Sequence, residues 1–192
     1  MTSSTMRFLQ QESLRLNKEL EALKQQNSRL EHYLDTVKAL YWRGLAITSA
    51  DEPVETLSQL LLDVISVIGA DDGSISRLDE EAGELVFVMV HGELRQRLAG
   101  YRMKSDVGTA GWVVENQEPL IVNYPRQDWR FSGVVDEEFG FLTRSIMSIP
   151  ILGEDRLIGV IQLLNKHGEF NESDVAVVLT LSQVASKVLG NL

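Results

Sequence analysis

The sequence predicts an α+β domain, an antiparallel sheet with flanking helices, preceded by a long N-terminal coiled-coil helix. Three observations carry this prediction. Residues 6–41 repeat apolar side chains every seven positions. Pro53, Pro119, Pro125, Pro150 and every glycine but Gly44 lie beyond residue 50, so a stretch without helix breakers precedes one full of turns. Beyond residue 51, short helical and strand patterns alternate and close on a hairpin and a final helix. The expected boundary is Ser49-Ala50-Asp51-Glu52-Pro53, giving a dimerisation helix over 1–50 and a sensory domain over 51–192.

Composition narrows the class. The 192 residues carry 18 basic and 28 acidic side chains, a net charge of −10, and no cysteine. Residues 1–50 hold 7 basic and 5 acidic side chains, so the acidic excess falls on the remainder. That balance argues against nucleic acid, whose phosphates require a basic face. Without cysteine there are no disulfides, thiolate metal sites or cysteine nucleophiles. The first residues lack a secretory pattern, and no apolar run nears the roughly 20 residues that span a bilayer. A cytoplasmic protein with no membrane contact is expected.

In the first segment Leu9, Leu16, Leu23, Leu30 and Val37 occupy heptad position d. Met6, Ser13, Leu20, Asn27, Leu34 and Tyr41 occupy position a. A lone Asn at a favours two parallel strands in register, because its side chain pairs only across the seam. Glu19 and Lys24 would attract across such a dimer. An amphipathic helix packed on its own domain would need a less strict repeat. A basic-zipper reading fails, since only Arg7 stands upstream. His32 falls on this helix.

In the second segment Leu57, Leu60, Leu61, Val64, Ile65 and Ile68 line one face of a helix over 54–69, ended by Gly69. Strands are expected over 74–78 and 85–90, joined by the turn 79–83. A short helix follows over 93–101, another over 109–116, and a strand over 120–123. Residues 124–141 are irregular. The hairpin 144–152/156–165 is the clearest feature, and a helix follows with Ser173 as its candidate cap. Its apolar stripe is Val177, Val178, Leu181, Val184, Ala185 and Val188. The helices are expected against one face of the sheet.

Several stretches in this order resemble the GAF domain family, the small-molecule sensory module of phosphodiesterases, adenylyl cyclases, phytochromes and bacterial regulators. Gly108-Thr109-Ala110-Gly111-Trp112-Val113 resembles its G-x-x-G-W/x-V segment. Glu118 to Asn123 resembles the strand that follows, and Asp128-Trp129-Arg130-Phe131 the D-x-R-F loop. Arg144 to Ile151 and Ile158 to Lys166 resemble the closing hairpin. Asn165, Lys166, Phe170 and Asp174 resemble the N-K-x(n)-F-x(3)-D-E signature of cyclic-nucleotide-binding members. Val175 replaces its final Glu.

The resemblance implies a ligand lying over the sheet beneath the irregular loop. Carried over, the floor takes Ser76, Val88, Met147 and Gln162, and the roof takes Thr109, Ala110, Trp112, Asp128 and Phe131. Free N–H groups at 109–111 would favour an anion, Trp112 or Phe131 would stack on a ring, and Asp128 would accept from a ring N–H. Alternatively Trp112 and Phe131 fill the core and Asp128 caps a turn. Lys166 and Asp174 are expected to pair, tying the last strand to the last helix outside the ligand's reach. Exposed, such a pair contributes ~0.2–1 kcal/mol.

Covalent bilin attachment and the sulfoxide-reductase chemistry of some members both need cysteine. A haem member would use a pocket histidine, for which His91 is the candidate. Asp71-Asp72 and Asp136-Glu137-Glu138 read as turn and solvated residues rather than metal ligands. No G-x-x-x-x-G-K, H-E-x-x-H or G-x-S-x-G occurs, so no enzyme, metal site or identified cofactor is expected. Two functions follow: a dimeric regulatory module that binds a small molecule, a cyclic nucleotide foremost, or a dimerising scaffold whose pocket is vestigial. Since the chain closes on its last helix, the signal is expected to pass through the helices to a separate signalling protein.

Overall fold

The computed structural model describes residues 3–46 and 52–190, which form a long helix and an α+β domain. The expected boundary at 49–51 lies outside the described residues. The chain divides into two compact units, residues 1–36 and 37–192.

The first unit is the helical run that opens α1 (Ser3–Ala46). With no proline and a single glycine, Gly44, near its end, the helix runs 44 residues. In this single chain Leu9, Leu16, Leu23 and Leu30 are each about half exposed, so the d side of the seam is uncovered. Asn27 donates to Glu31 (3.2 Å), and Lys24 pairs with Glu21 (2.9 Å). The His32 side chain lies outside the described residues.

The second unit is built on a six-stranded sheet in which every neighbouring pair is antiparallel. The strands are β1 (Asp72–Asp79), β2 (Glu84–His91), β3 (Arg102–Lys104), β4 (Leu120–Val122), β5 (Ile146–Leu152) and β6 (Leu157–Leu164), in the order β3-β2-β1-β6-β5-β4. The helices are α2 (Pro53–Ile68), α3 (Arg95–Leu98), α4 (Gly108–Asn116), α5 (Val134–Phe139) and α6 (Glu172–Leu189).

Helices cover both faces, not one. Helix α2 buries its whole expected stripe and ends at Gly69, whose left-handed backbone (φ 75°) turns the chain into β1. At Gly73 a side chain would collide with Ile65 of α2 and with Leu163, which puts α2 and Leu163 on the same side of the sheet. Helix α6 packs on β5 and against α2. On the opposite side, Leu85, Leu120, Val122, Ile146 and Val160 form a cluster with Ala110 and Val113 of α4. Two expectations change here. Asn171, not Ser173, caps α6: its side chain accepts the Ser173 (2.9 Å) and Asp174 (3.3 Å) N–H groups, while the Asp174 carboxylate takes the Asn171 N–H (2.9 Å). Asn171 holds the extended backbone a cap requires, whereas Ser173 is already helical. The irregular stretch 124–141 contains a 3₁₀ turn, Pro125–Gln127, and the short helix α5.

Candidate functional site

Between the sheet and the segment from Val107 to Thr143 lies a cavity of about 80 Å³ open to water-sized spheres. Side chains alternate across a strand, so β1 turns Asp72 and Ser74 to this face and Gly73 to the α2 face. Ser74 stands opposite Gln162 of β6 in the register. Phe87 and Val90 of β2, with Leu94 and Leu98 of the α3 segment, form an apolar wall. Thr109, Ala110, Phe131 and Phe141 complete the lining from above.

One buried polar network joins roof and floor. The Thr109 hydroxyl oxygen accepts from Ser148 Oγ (3.1 Å) and Gln162 Nε2 (3.2 Å), and Gln162 Nε2 also reaches Ser148 Oγ (3.0 Å). This fixes the start of α4 over the sheet; of the N–H groups expected to be free, those of Thr109 and Ala110 meet no described backbone acceptor, whereas that of Gly111 closes the first helical turn on the Val107 carbonyl (3.0 Å). The Gln162 carbonyl and the Ser74 hydroxyl make none of the hydrogen bonds found among the described residues, although the residues are only 9 % and 4 % exposed. No described side-chain polar atom is both fully enclosed and unbonded. Both groups therefore reach open space, and the cavity they line supplies it.

The roof is tied down at its rim. The Asp136 carboxylate accepts from Arg126 (2.6 Å), from the Thr143 hydroxyl (2.6 Å) and from the Thr143 N–H (3.0 Å). Tyr101 donates to Glu138 (2.5 Å) and Arg97 to the Phe139 carbonyl (2.6 Å). Asp136 is thus buried rather than solvated, because α5 folds it under the roof where Arg126 meets its charge. Asp72 is buried too: one oxygen accepts the Glu93 N–H (2.7 Å), and burial pushes its carboxyl above the ordinary range.

Of the residues expected at a ligand, the structure brings Thr109, Ala110, Phe131 and Gln162 to the cavity wall. Ser76 shares the face but sits further along β1, with its hydroxyl on the Val160 carbonyl (3.3 Å). Met147 pairs with Leu163 in the register and shares its α2 side of the sheet. Val88, 41 % exposed, also points away from the cavity, since Phe87 beside it faces inward. Trp112 and Asp128 are occupied with each other's neighbour on the outside of the roof. Arg130 lies over the Trp112 ring (5.4 Å) while both Asp128 oxygens hold its guanidinium (2.9 and 2.7 Å). That hydrogen-bonded cation holds the Asp128 carboxyl below its ordinary range. The His91 ring nitrogen Nε2 meets the Ser58 hydroxyl and carbonyl (3.0 Å each) on α2. Lys166 is ion-paired with Asp174, and neither lines the cavity. Ser74 carried no motif to mark it, and only its alternation with Ser76 on a strand assigned to the floor pointed inward; Asp72 lay outside the strand expected over 74–78 and read as a turn residue, but β1 begins with it.

An antiparallel sheet with helices on both faces and a small cavity under a tethered roof is an architecture suited to holding a small molecule. The chain belongs to the GAF domain family, whose model matches residues 51–189. It is 27 % identical over 161 residues to a probable 3',5'-cyclic phosphodiesterase, pde-5, of Caenorhabditis elegans, covering 80 % of this chain and 22 % of that protein. It is 37 % identical over 117 residues to the dual 3',5'-cyclic-AMP and -GMP phosphodiesterase 11 of Drosophila melanogaster, covering 59 % and 8 %. The chain thus spans about a fifth or less of these relatives. Among solved structures, the GAF domain of a phosphoenolpyruvate-protein phosphotransferase from Coxiella burnetii superposes with a TM-score of 0.70 at 22 % identity, over 83 % of this chain and 98 % of that one. A free methionine-R-sulfoxide reductase from Neisseria meningitidis, solved with its substrate, gives 0.65 at 19 % identity, over 79 % and 86 %. At such identities the likeness is one of fold. Among the described residues no helix is long and apolar enough to cross a membrane, and no cluster of His, Cys, Asp and Glu is arranged to hold a metal.

Proposed function

We propose that this chain is a non-catalytic, dimeric regulatory module, working in the cytoplasm, that takes a small molecule into the cavity beneath residues 107–143 and passes the change through its helices to a separate signalling protein. The observation that carries this reading is the Ser74 hydroxyl and the Gln162 carbonyl, two polar groups of buried residues that face the cavity without a protein partner among the described residues. A native interior rarely leaves such groups unpaired without something to meet them. Dimerisation rests on the uncovered heptad seam of 6–41, and 1–50 and 51–192 remain the working division. The cyclic nucleotides named for the curated relatives make that class the first to test. At about 80 Å³ the cavity is well below the ~300 Å³ at which ordinary ligand sites begin, so a nucleotide would have to lift the roof.

That small volume, with Phe131 in the lining, also favours the second reading, a dimerising scaffold with a vestigial pocket. A thermal-shift screen of cyclic nucleotides, purines, oxo-acids and tetrapyrroles separates the two. A ligand specific for the folded chain at a hundred times its Kd adds about 2.7 kcal/mol, a rise of several degrees. No shift from any compound, with Phe131 filling the cavity in a crystal structure, would leave only the scaffold.

A further inference from the structure

The charges around the cavity are one-sided. Two carboxylates line it, and among its described lining residues there is no Lys or Arg. Asp136 is spent: Arg126 and Thr143 satisfy both of its oxygens. Asp72 is not. Only 8 % exposed, it stands two residues from Ser74 on the same face of β1, and the Glu93 N–H occupies just one of its oxygens. Among the described residues no cation is ion-paired with it: Asp71 and Glu93 add negative charge, and Arg144, which offsets part of it, is bound to Asp71 (2.6 Å). His91, the remaining titratable group of the lining, is engaged by Ser58. A carboxylate removed from water is expensive unless a counter-charge meets it.

The rest of the wall suits a cation. Phe87, Phe131 and Phe141 line the same space, and aromatic rings attract cations through their quadrupole. The Gln162 carbonyl and the Ser74 hydroxyl oxygen add acceptors beside Asp72. At about 80 Å³ the cavity suits a compact head group better than a nucleotide.

We propose that this cavity binds a compact organic cation, an ammonium or amidinium, whose N–H or N–CH₃ head meets Asp72, Ser74 and Gln162 among the phenylalanine rings. The proposal rests on the reading of the cavity as a ligand site and replaces the cyclic nucleotide as its occupant.

The test uses the full chain and three matched probe pairs: butylammonium with butanol, choline with 3,3-dimethylbutanol, and methylguanidinium with N-methylurea. Cyclic GMP and cyclic AMP form a separate arm. At least one cation is expected to raise the melting temperature while its uncharged isostere does not, and Asp72→Asn is expected to weaken its binding at least tenfold. If that variant fails to fold, the wild-type protein decides the matter. The cation is expected to move the Asp72 carboxyl ¹³C resonance and to lower the pH at which Asp72 titrates; an unmoved resonance overturns the proposal. It is equally overturned if each isostere acts as well as its cation. A shift from a cyclic nucleotide with none from the cations also defeats it, yet keeps the sensor reading. If neither arm moves the protein, the sensor reading falls as well.

Discussion

Asp128 holds the Arg130 guanidinium through both carboxylate oxygens, and Arg130 in turn covers Trp112. The bonded cation lowers the Asp128 pKa in the folded chain, so its stabilising share is present above the ordinary carboxylate value and is lost as pH falls through the lowered one. Asp128→Asn is therefore expected to flatten the loss of stability below about pH 4, as read by urea midpoints across pH. It should leave ligand affinity unchanged, because Asp128 does not line the cavity. Thr109 works differently. Thr109→Val removes the acceptor shared by Ser148 and Gln162 and is expected to cost about 1–3 kcal/mol in denaturant unfolding. The sequence motif marked Thr109 and Asp128 alike as roof residues. Which of them faces inward depended on Arg130, two residues from Asp128, offering a nearer partner than any ligand. No letter pattern carries that competition.

Elements with a strong period were legible, and short ones were not. The stripes of α2 and α6 and the β5–β6 hairpin have enough apolar repeats to fix both type and face. Strand β3 has three residues, two of them charged, on the sheet edge, too few for an alternation to register. Helix α5 hides in a polar stretch because its six residues supply a single inward pair, Val135 and Phe139, and the Asp136 ties complete its hold. The join between β6 and α6 tests how far the signature pair matters. Lys166 and Asp174 are only 13 % and 9 % exposed, so the pair belongs with buried ion pairs rather than surface ones. Asp174 also closes the cap on Asn171. A double-mutant cycle of Lys166→Met and Asp174→Asn is expected to give a coupling of roughly 1–3 kcal/mol, above the surface range. Additive effects would mean the two side chains act independently.

At the scale of the molecule, the apolar seam positions from Met6 to Leu34 stand about half exposed. In the heptad reading, Asn27→Leu removes the one Asn at an a position and is expected to raise helix melting while letting register and oligomer number vary. Sedimentation should then show a dimer for the parent chain and a mixture for the variant. A monomer at micromolar concentration for the parent would remove dimerisation from the account. Occupancy of the cavity is the more central matter, since the Ser74 hydroxyl, the Gln162 carbonyl and one Asp72 oxygen face it without a described protein partner. Native mass spectrometry of the full chain purified from its own host tests this most directly. The account predicts a mass excess of one small molecule per chain that disappears on denaturation. A bare chain mass under gentle ionisation, unchanged when small-molecule extract of the same host is added back, would contradict it.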